Sequence, residues 1–324
     1  MTDTAIHEHA PQIRKMDVTR DLNQVADLIE MSFPIHQDPD GQIYVRNMRK
    51  TAQQMRKLDW LSPWADTSEL NVSGFVWEED NRIIGNLSLI PFQNAGRRTY
   101  LIANVAVHPT FRRKGIARSL TRRALGYLRR RSAGEVWLQV REDNQDAQSL
   151  YRSVGFVDRA IRTTWRIRPN EMKSVSSMVP SGSYLRNRKT GDWPQQERYL
   201  ELAYPQILRW NFQLDFGTLA PGMLQTMTNF VEGVKLRHWT YDKAGHGRGQ
   251  ITWQKTNTFA NNLWLAFDEA EEGQILPEAL RAVLQNLAKT HPLSIDYPME
   301  RAEQVFQALG FNSFRTLIWM SCRL

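Results

Sequence analysis

Residues 101–128 read LIANVAVHPTFRRKGIARSLTRRALGYL, and the fold turns on how they divide. Leu101 to Val107 is a short apolar run with β-branched members, the pattern of a buried strand. His108-Pro109 stops it, and a turn carrying Arg112, Arg113, Lys114 and Gly115 follows. From Ile116 the period changes: Ile116, Leu120, Ala124 and Leu128 recur every four residues, one face of a helix. A strand, a basic glycine turn and a helix aim free N–H groups and a positive helix end at one spot, a seat for an anion. Gly115 permits close approach of the backbone, and small Ala117 keeps the first helical turn clear.

Upstream, Ile13 to Val18 reads as a first strand. Thr19 or Asp21 is placed to cap a helix with Leu22, Val25, Ala26 and Ile29 on one face, ended at Ser32-Phe33-Pro34. A second helix is expected over 42–58, an amphipathic cover. Gly74–Glu78, the turn Glu79-Asp80-Asn81 and Ile83–Pro91 read as a hairpin, with a loop over 93–98 before the central strand. Downstream, Glu135–Arg141 alternates with Val136, Leu138 and Val140 on one side. Asn144 then opens a helix in which Ala147, Leu150, Tyr151 and Val154 share a face. Gly155 suits its C-terminal cap, and Phe156 begins a strand reaching about Ile167.

Two of these pieces carry a resemblance. Arg112-x-x-Gly115-x-Ala117 resembles the Q/R-x-x-G-x-G/A loop of the GNAT superfamily of N-acetyltransferases. Asn144-x-x-Ala147-x-x-Leu150-Tyr151-x-x-x-Gly155-Phe156 is similar to the family's fourth-helix motif. The likeness covers roughly residues 11–168. Beyond a Pro/Ser/Gly-bearing connection the chain repeats itself. Ala302, Val305, Phe306, Leu309, Gly310 and Phe311 follow Ala147, Leu150, Tyr151, Val154, Gly155 and Phe156 at one constant spacing, as do Leu293 and Ile295 after Leu138 and Val140. Further upstream, Asn262–Phe267 reads as a second central strand and Ile275–Leu287 as its helix. Leu236–Asp242, the turn Ala244-Gly245-His246-Gly247 and Gly249–Lys255 read as a second hairpin. The expected architecture is α/β, tandem GNAT folds, each a mixed, mostly antiparallel central sheet flanked by helices. Residues 1–168 would be catalytic, 169–194 a linker and 195–324 a degenerate copy. That copy lacks the pyrophosphate loop, because the turn there reads Glu271-Glu272-Gly273-Gln274, whose carboxylates repel a diphosphate.

The resemblance implies acetyl-coenzyme A as co-substrate and no metal. The pyrophosphate would lie on backbone N–H groups from Arg113 through Lys114, Gly115 and Ile116 to Ala117, with Arg112 and Arg118 beside it. The pantetheine arm would pair with Asn104, Val105, Ala106 and Val107, a backbone N–H near Val105 would polarise the thioester carbonyl, and Asn144 and Ala147 would touch the coenzyme. Tyr151 would protonate the departing thiolate. The stretch Leu138-Gln139-Val140-Arg141 resembles the L-E-V-R of ribosomal-protein alanine N-acetyltransferases, whose Glu is implicated in deprotonating the amine. Gln139 cannot take a proton, and the position where histone-type members carry Glu is Leu101. The base is then a water chain or a group such as Glu142, His108 or Glu78. Phe33, Tyr44 and Trp60 are candidates for the acceptor wall.

Composition bounds the rest. At 324 residues two domains are the default. With 41% hydrophobic and 10% aromatic residues the chain can form ordinary cores, so disorder is not its main feature. A net charge of +8 suits polyanionic partners without choosing among coenzyme phosphates, nucleic acid or an acidic protein. Cys322 is the one cysteine, which excludes an intrachain disulfide and fits a reducing cytoplasm. The opening MTDTAIHEHAPQIRKMD has no apolar core of a signal segment, and no run reaches membrane-spanning length. The reading is a cytoplasmic N-acetyltransferase acting on a small-molecule or peptide amine, without membrane partners, with a homodimer allowed. A non-catalytic acyl-coenzyme A sensor and a basic nucleic-acid- or ribosome-binding protein are the alternatives. Against the last, aromatics interleave poorly with the arginines.

Overall fold

The computed structural model describes residues 12–58, 73–94, 97–176, 184–212, 214–243 and 247–324. The elements in chain order are β1 (Gln12–Lys15), α1 (Val18–Ser32), α2 (Pro39–Leu58), β2 (Ser73–Glu79), β3 (Arg82–Asn94), β4 (Arg97–Val107), α3 (Ile116–Arg129), β5 (Glu135–Arg141), α4 (Gln145–Ser153) and β6 (Val157–Ile167). They continue as α5 (Pro169–Ser176), β7 (Leu185–Asn187), α6 (Trp193–Ala203), α7 (Met223–Val231), β8 (Leu236–Lys243), β9 (Gly247–Gln254), β10 (Asn261–Ala266), α8 (Glu269–Asn286), β11 (Leu293–Pro298), α9 (Glu303–Ala308) and β12 (Asn312–Arg323). Two compact units result. One comprises Met1–Val140, Asn144–Arg159 and Trp319–Leu324; the other comprises Arg141–Asp143 and Ala160–Ile318.

In the first unit β1, β2, β3 and β4 are successively antiparallel, and β5 joins β4 in parallel. Helix α1 buries Leu22, Val25, Ala26, Leu28 and Ile29 against Val45, Met48 and Ala52 of α2 and Val76, Ile83 and Ala106 of the sheet. Each Leu, Val, Ile or Met side chain among them contributes about 1.5–3 kcal/mol on leaving water. The cap of α1 is Asp17, whose carboxylate accepts from Thr19 N and Arg20 N, rather than Thr19 or Asp21. Asp21 is fully buried instead, gripped by Arg14 at 2.5 and 2.8 Å. The first strand accordingly ends at Lys15, and α2 starts three residues ahead of the expected Gln42. The expected loop over 93–98 is narrower than that, with β3 running to Asn94, β4 starting at Arg97, and those two residues paired. Trp137 is as buried as Val136 and Leu138, so β5 is covered on both faces and the alternation seen in its sequence is incomplete. The chain's last residues complete this unit. Ser321 Oγ accepts from Arg159 Nε at 2.8 Å, and Leu324 N donates to Gly134 O at 3.3 Å.

The second unit orders its strands β6-β11-β10-β9-β8-β7. β8, β9 and β10 are antiparallel in turn and β11 joins β10 in parallel, the senses that β2, β3, β4 and β5 show. The closing turns also match. Phe156 N returns to Tyr151 O at 3.1 Å through Gly155 at φ 102°, and Phe311 N returns to Phe306 O at 2.9 Å through Gly310 at φ 77°. Part of the 169–194 connection is regular structure, α5 and β7. The turn expected at Glu271–Gln274 is not a turn: Asp268 caps α8, which starts at Glu269, so those residues are already helical. Residues 244–246 and Trp60 lie outside the described residues.

A polar layer in this unit has a pH consequence. His238 Nδ1 and Thr252 Oγ1 are 2.9 Å apart, Gln196 Nε2 of α6 donates to that hydroxyl at 3.1 Å, and Arg188 donates to Gln196 Oε1 at 2.7 Å. Burial first, then the Arg188 charge, lowers His238 from 6.5 to about 3. Between those values the unfolded chain binds a proton that the folded chain does not. The contribution is complete above pH 6.5 and is lost as pH falls toward 3. Thermal melts at pH 7 and pH 4 should therefore differ by less in His238→Gln than in the wild type; an unchanged difference refutes this role.

Candidate active site

The strand–turn–helix of residues 101–128 forms as its sequence requires, and its backbone is unusual at three points. After β4, Pro109–Phe111 makes a single 3-10 turn, and Arg112 Nε folds back onto Val107 O at 3.3 Å. Arg113 and Gly115 are both left-handed, at φ 66° and 78°, and Gly115 is the residue from which α3 starts. A Cβ at 115 would meet no atom of the described residues within 4 Å, so this bend is open on that side among them. The helix behind it is seated by Gly85 on β3: a Cβ there would lie 2.8 Å from Ile116 Cγ2, which fixes the N-terminus of α3 on the sheet. Arg112, Lys114 and Arg118 are exposed. Arg113 is tied to Asp146 in the first turn of α4 at 2.5 Å, so the turn and α4 meet.

The third point is in the strand. The pairing of β3 with β4 slips between Asn86 and Ser88, leaving Asn104 and Val105 opposite Leu87 alone, and Asn104 is left-handed at φ 52°. This is a β-bulge, a device that re-aims backbone groups. On the other edge β4 pairs with β5 only at Tyr100–Val136, Leu101–Trp137 and Ile102–Leu138. Past that register the parallel ladder stops, so Ala103 to Val107 run beside β5 unpaired with it. The open edge, the bulge and the left-handed turn at Arg113–Gly115 lie along one continuous run of chain. The left-handed position is held by Asn, a residue type that tolerates positive φ better than most.

Asn144 caps α4, its Oδ1 accepting from Ala147 N at 3.1 Å. Tyr151 is 7% exposed, its ring edge-on to Phe156 at 6.0 Å. Its hydroxyl has no hydrogen-bond partner among the described residues, and burial pushes its pKa well above the usual tyrosine value. It is a protonated phenol at neutral pH. The base candidates fare differently. Glu78 is buried and held by Arg14 Nε at 2.5 Å and by Arg20, so it is a structural ion pair and not a free base. His108 sits at the end of β4 with Nδ1 2.9 Å from Thr110 Oγ1, a turn residue. Glu142 is exposed in the β5–α4 turn, its amide donating to Thr316 O at 3.0 Å, and groups with the second unit. Gln139 Nε2 is buried without a hydrogen-bond partner among the described residues. Among the described residues no His, Cys, Asp and Glu cluster could hold a metal, and no helix is long and apolar enough to cross a membrane.

The family model described as the acetyltransferase (GNAT) family matches residues 27–156. Over 116 residues the chain is 32% identical to the ribosomal protein bS18 alanine N-acetyltransferase of Haemophilus ducreyi, covering 34% of this chain and 77% of that one. The chain belongs to the GNAT acetyltransferase family. As a GNAT protein it is an acyltransferase. It is 37% identical over 62 residues to the enzyme of the same name from Escherichia coli K12, a span of 19% of this chain and 42% of that one. The crystal structure of a GCN5-related N-acetyltransferase from Sphaerobacter thermophilus aligns over 96% of this chain and 95% of its own, at TM-score 0.58 and 14% identity, a likeness of fold.

Proposed function

We propose that the first unit binds acetyl-coenzyme A and transfers its acetyl group to an amine. The observation that carries this is the left-handed pair Arg113 and Gly115 at the start of α3, set at the end of a strand whose pairing with β5 stops at Ile102–Leu138. The bend offers N–H groups to the diphosphate from Arg113 to Ala117, with Arg112, Lys114 and Arg118 around it. The open edge of Asn104 to Val107 takes the pantetheine amides, and α4 brings Asn144 and Ala147 against the coenzyme. The amine nitrogen attacks the thioester carbonyl, a C–N bond forms, the oxyanion accepts from the bulge near Val105, and the C–S bond breaks. Tyr151 gives its proton to the leaving sulfur, and the amine's proton goes to water. A peptide or protein amine fits the relatives' printed activity, and a small amine fits the same chemistry. The reaction belongs in the cytoplasm, where the coenzyme is available. With Glu78 bound and Gln139 in the glutamate's place, an acyl-coenzyme A sensor without turnover is the second reading.

The second unit is a copy of the fold whose anion seat is filled from within. Glu272, in the first turns of α8, is 4% exposed and is bound by Arg301 and by the Tyr297 hydroxyl at 3.1 Å. The connection from β10 to α8 has no glycine turn, and Phe306 stands where Tyr151 does. Residues 1–168, a connection over 169–194, and 195–324 are the functional divisions on this reading. Calorimetric titration with acetyl-coenzyme A should give one site per chain, and an amine panel should release free coenzyme thiol. Two sites refute the filled seat; binding without thiol release leaves the sensor reading.

A further inference from the structure

The bulge at Asn104 has a holder. Asn86 on β3 is fully buried, in a strand whose Ile83, Ile84, Leu87 and Leu89 are buried apolar neighbours and whose Ser88 is its one other buried polar side chain among the described residues. Its Nδ2 donates to the Asn104 carbonyl at 2.9 Å and reaches Ser88 Oγ at 3.4 Å, while its Oδ1 is buried with no hydrogen-bond partner among the described residues. Asn104 Nδ2 in turn donates to Tyr44 OH of α2 at 2.7 Å and reaches Ser88 Oγ at 3.4 Å. An amide with one idle polar atom in an apolar core lowers stability relative to a leucine of similar size. Folding therefore gives no reason for Asn86; what it grips does. Asn tolerates the left-handed region better than most residues but less freely than glycine, so a buried hydrogen bond to the Asn104 carbonyl helps hold the bulge.

We propose that Asn86 is a positioning residue for acyl transfer: by holding the Asn104 carbonyl it keeps β4 bulged, so that the backbone N–H near Val105 faces the thioester carbonyl. Asn86 does not touch the coenzyme, and Tyr44 steadies the same residue from the α2 side. The inference rests on the coenzyme reading above.

The test uses the full chain and [1-13C]acetyl-coenzyme A. In the wild type the bound carbonyl resonance moves downfield of the free value, the mark of a polarised carbonyl. In Asn86→Leu the coenzyme Kd stays within threefold, because the anion turn is untouched, while the resonance returns toward the free position. With any amine that supports thiol release, kcat falls at least tenfold and KM for the coenzyme stays within threefold. Asn86→Asp, of the same shape but presenting a carboxylate to the Asn104 carbonyl, gives the same loss and serves if the leucine variant does not fold. Adding Asn104→Gly to either variant restores part of the shift, since glycine adopts positive φ freely. A wild type that binds no coenzyme overturns the coenzyme reading and the proposal with it. Binding with a carbonyl shift unaffected by Asn86 overturns the proposal alone.

Discussion

Gly115→Glu is expected to weaken acetyl-coenzyme A binding at least about 100-fold, roughly 2.7 kcal/mol, while leaving the chain folded. The fold tolerates the change because a Cβ at 115 meets no atom of the described residues within 4 Å. The left-handed φ of 78° costs a side-chain-bearing residue about 1–2 kcal/mol. A carboxylate at the start of α3 offsets about 0.3–1 kcal/mol of that through the helix dipole. The ligand meets the opposite balance, since the carboxylate stands where a doubly charged diphosphate must lie, and its repulsion adds to the lost approach. Titration calorimetry beside a thermal melt separates the two effects. A melting temperature within a few degrees of wild type with coenzyme affinity within threefold would remove the bend from the site.

Tyr151→Phe should reduce kcat for thiol release about 100-fold or more, with coenzyme affinity unchanged, as expected of a lost general acid. Stability should hold, because the hydroxyl makes no hydrogen bond among the described residues and the ring keeps its edge contact with Phe156. Burial raises the phenol pKa, so the acid stays protonated as pH rises past 10, and the rate should not decline on its account below that point. For stability the sign is the same. The folded state keeps a proton that the unfolded chain gives up above about pH 10, so the contribution is whole below that pH and is lost above it. A phenylalanine variant within twofold of wild-type kcat would mark Tyr151 as a core residue only.

Local periodicity and turn chemistry made most of the fold legible. The helix over 116–129, the hairpin around Asp80-Asn81 and the glycine-closed turns after α4 and α9 all follow from spacing that neighbouring residues enforce. What escaped notice depends on distant partners. Asp21 has the look of a helix cap, yet Arg14 draws it inward and Asp17 takes the cap. Glu78 looks like an available base until Arg14 and Arg20 enclose it. Glu272 reads as surface charge in a turn, but α8 begins earlier and Arg301 neutralises it in the interior. The bulge needed Asn86 and Asn104 to be read as a pair across two strands, which no single-strand pattern provides.

The first unit includes Trp319–Leu324 among its residues, with Ser321 bonded to Arg159 and Leu324 to Gly134. During translation those residues leave the ribosome long after the turn at Arg113–Gly115 and α4 have emerged. The first unit must therefore wait, incomplete along one border, while everything between Ala160 and Ile318 is made. Maturation of the first unit is thereby tied to synthesis of the second, and a nascent chain interrupted in that interval holds an unfinished first unit.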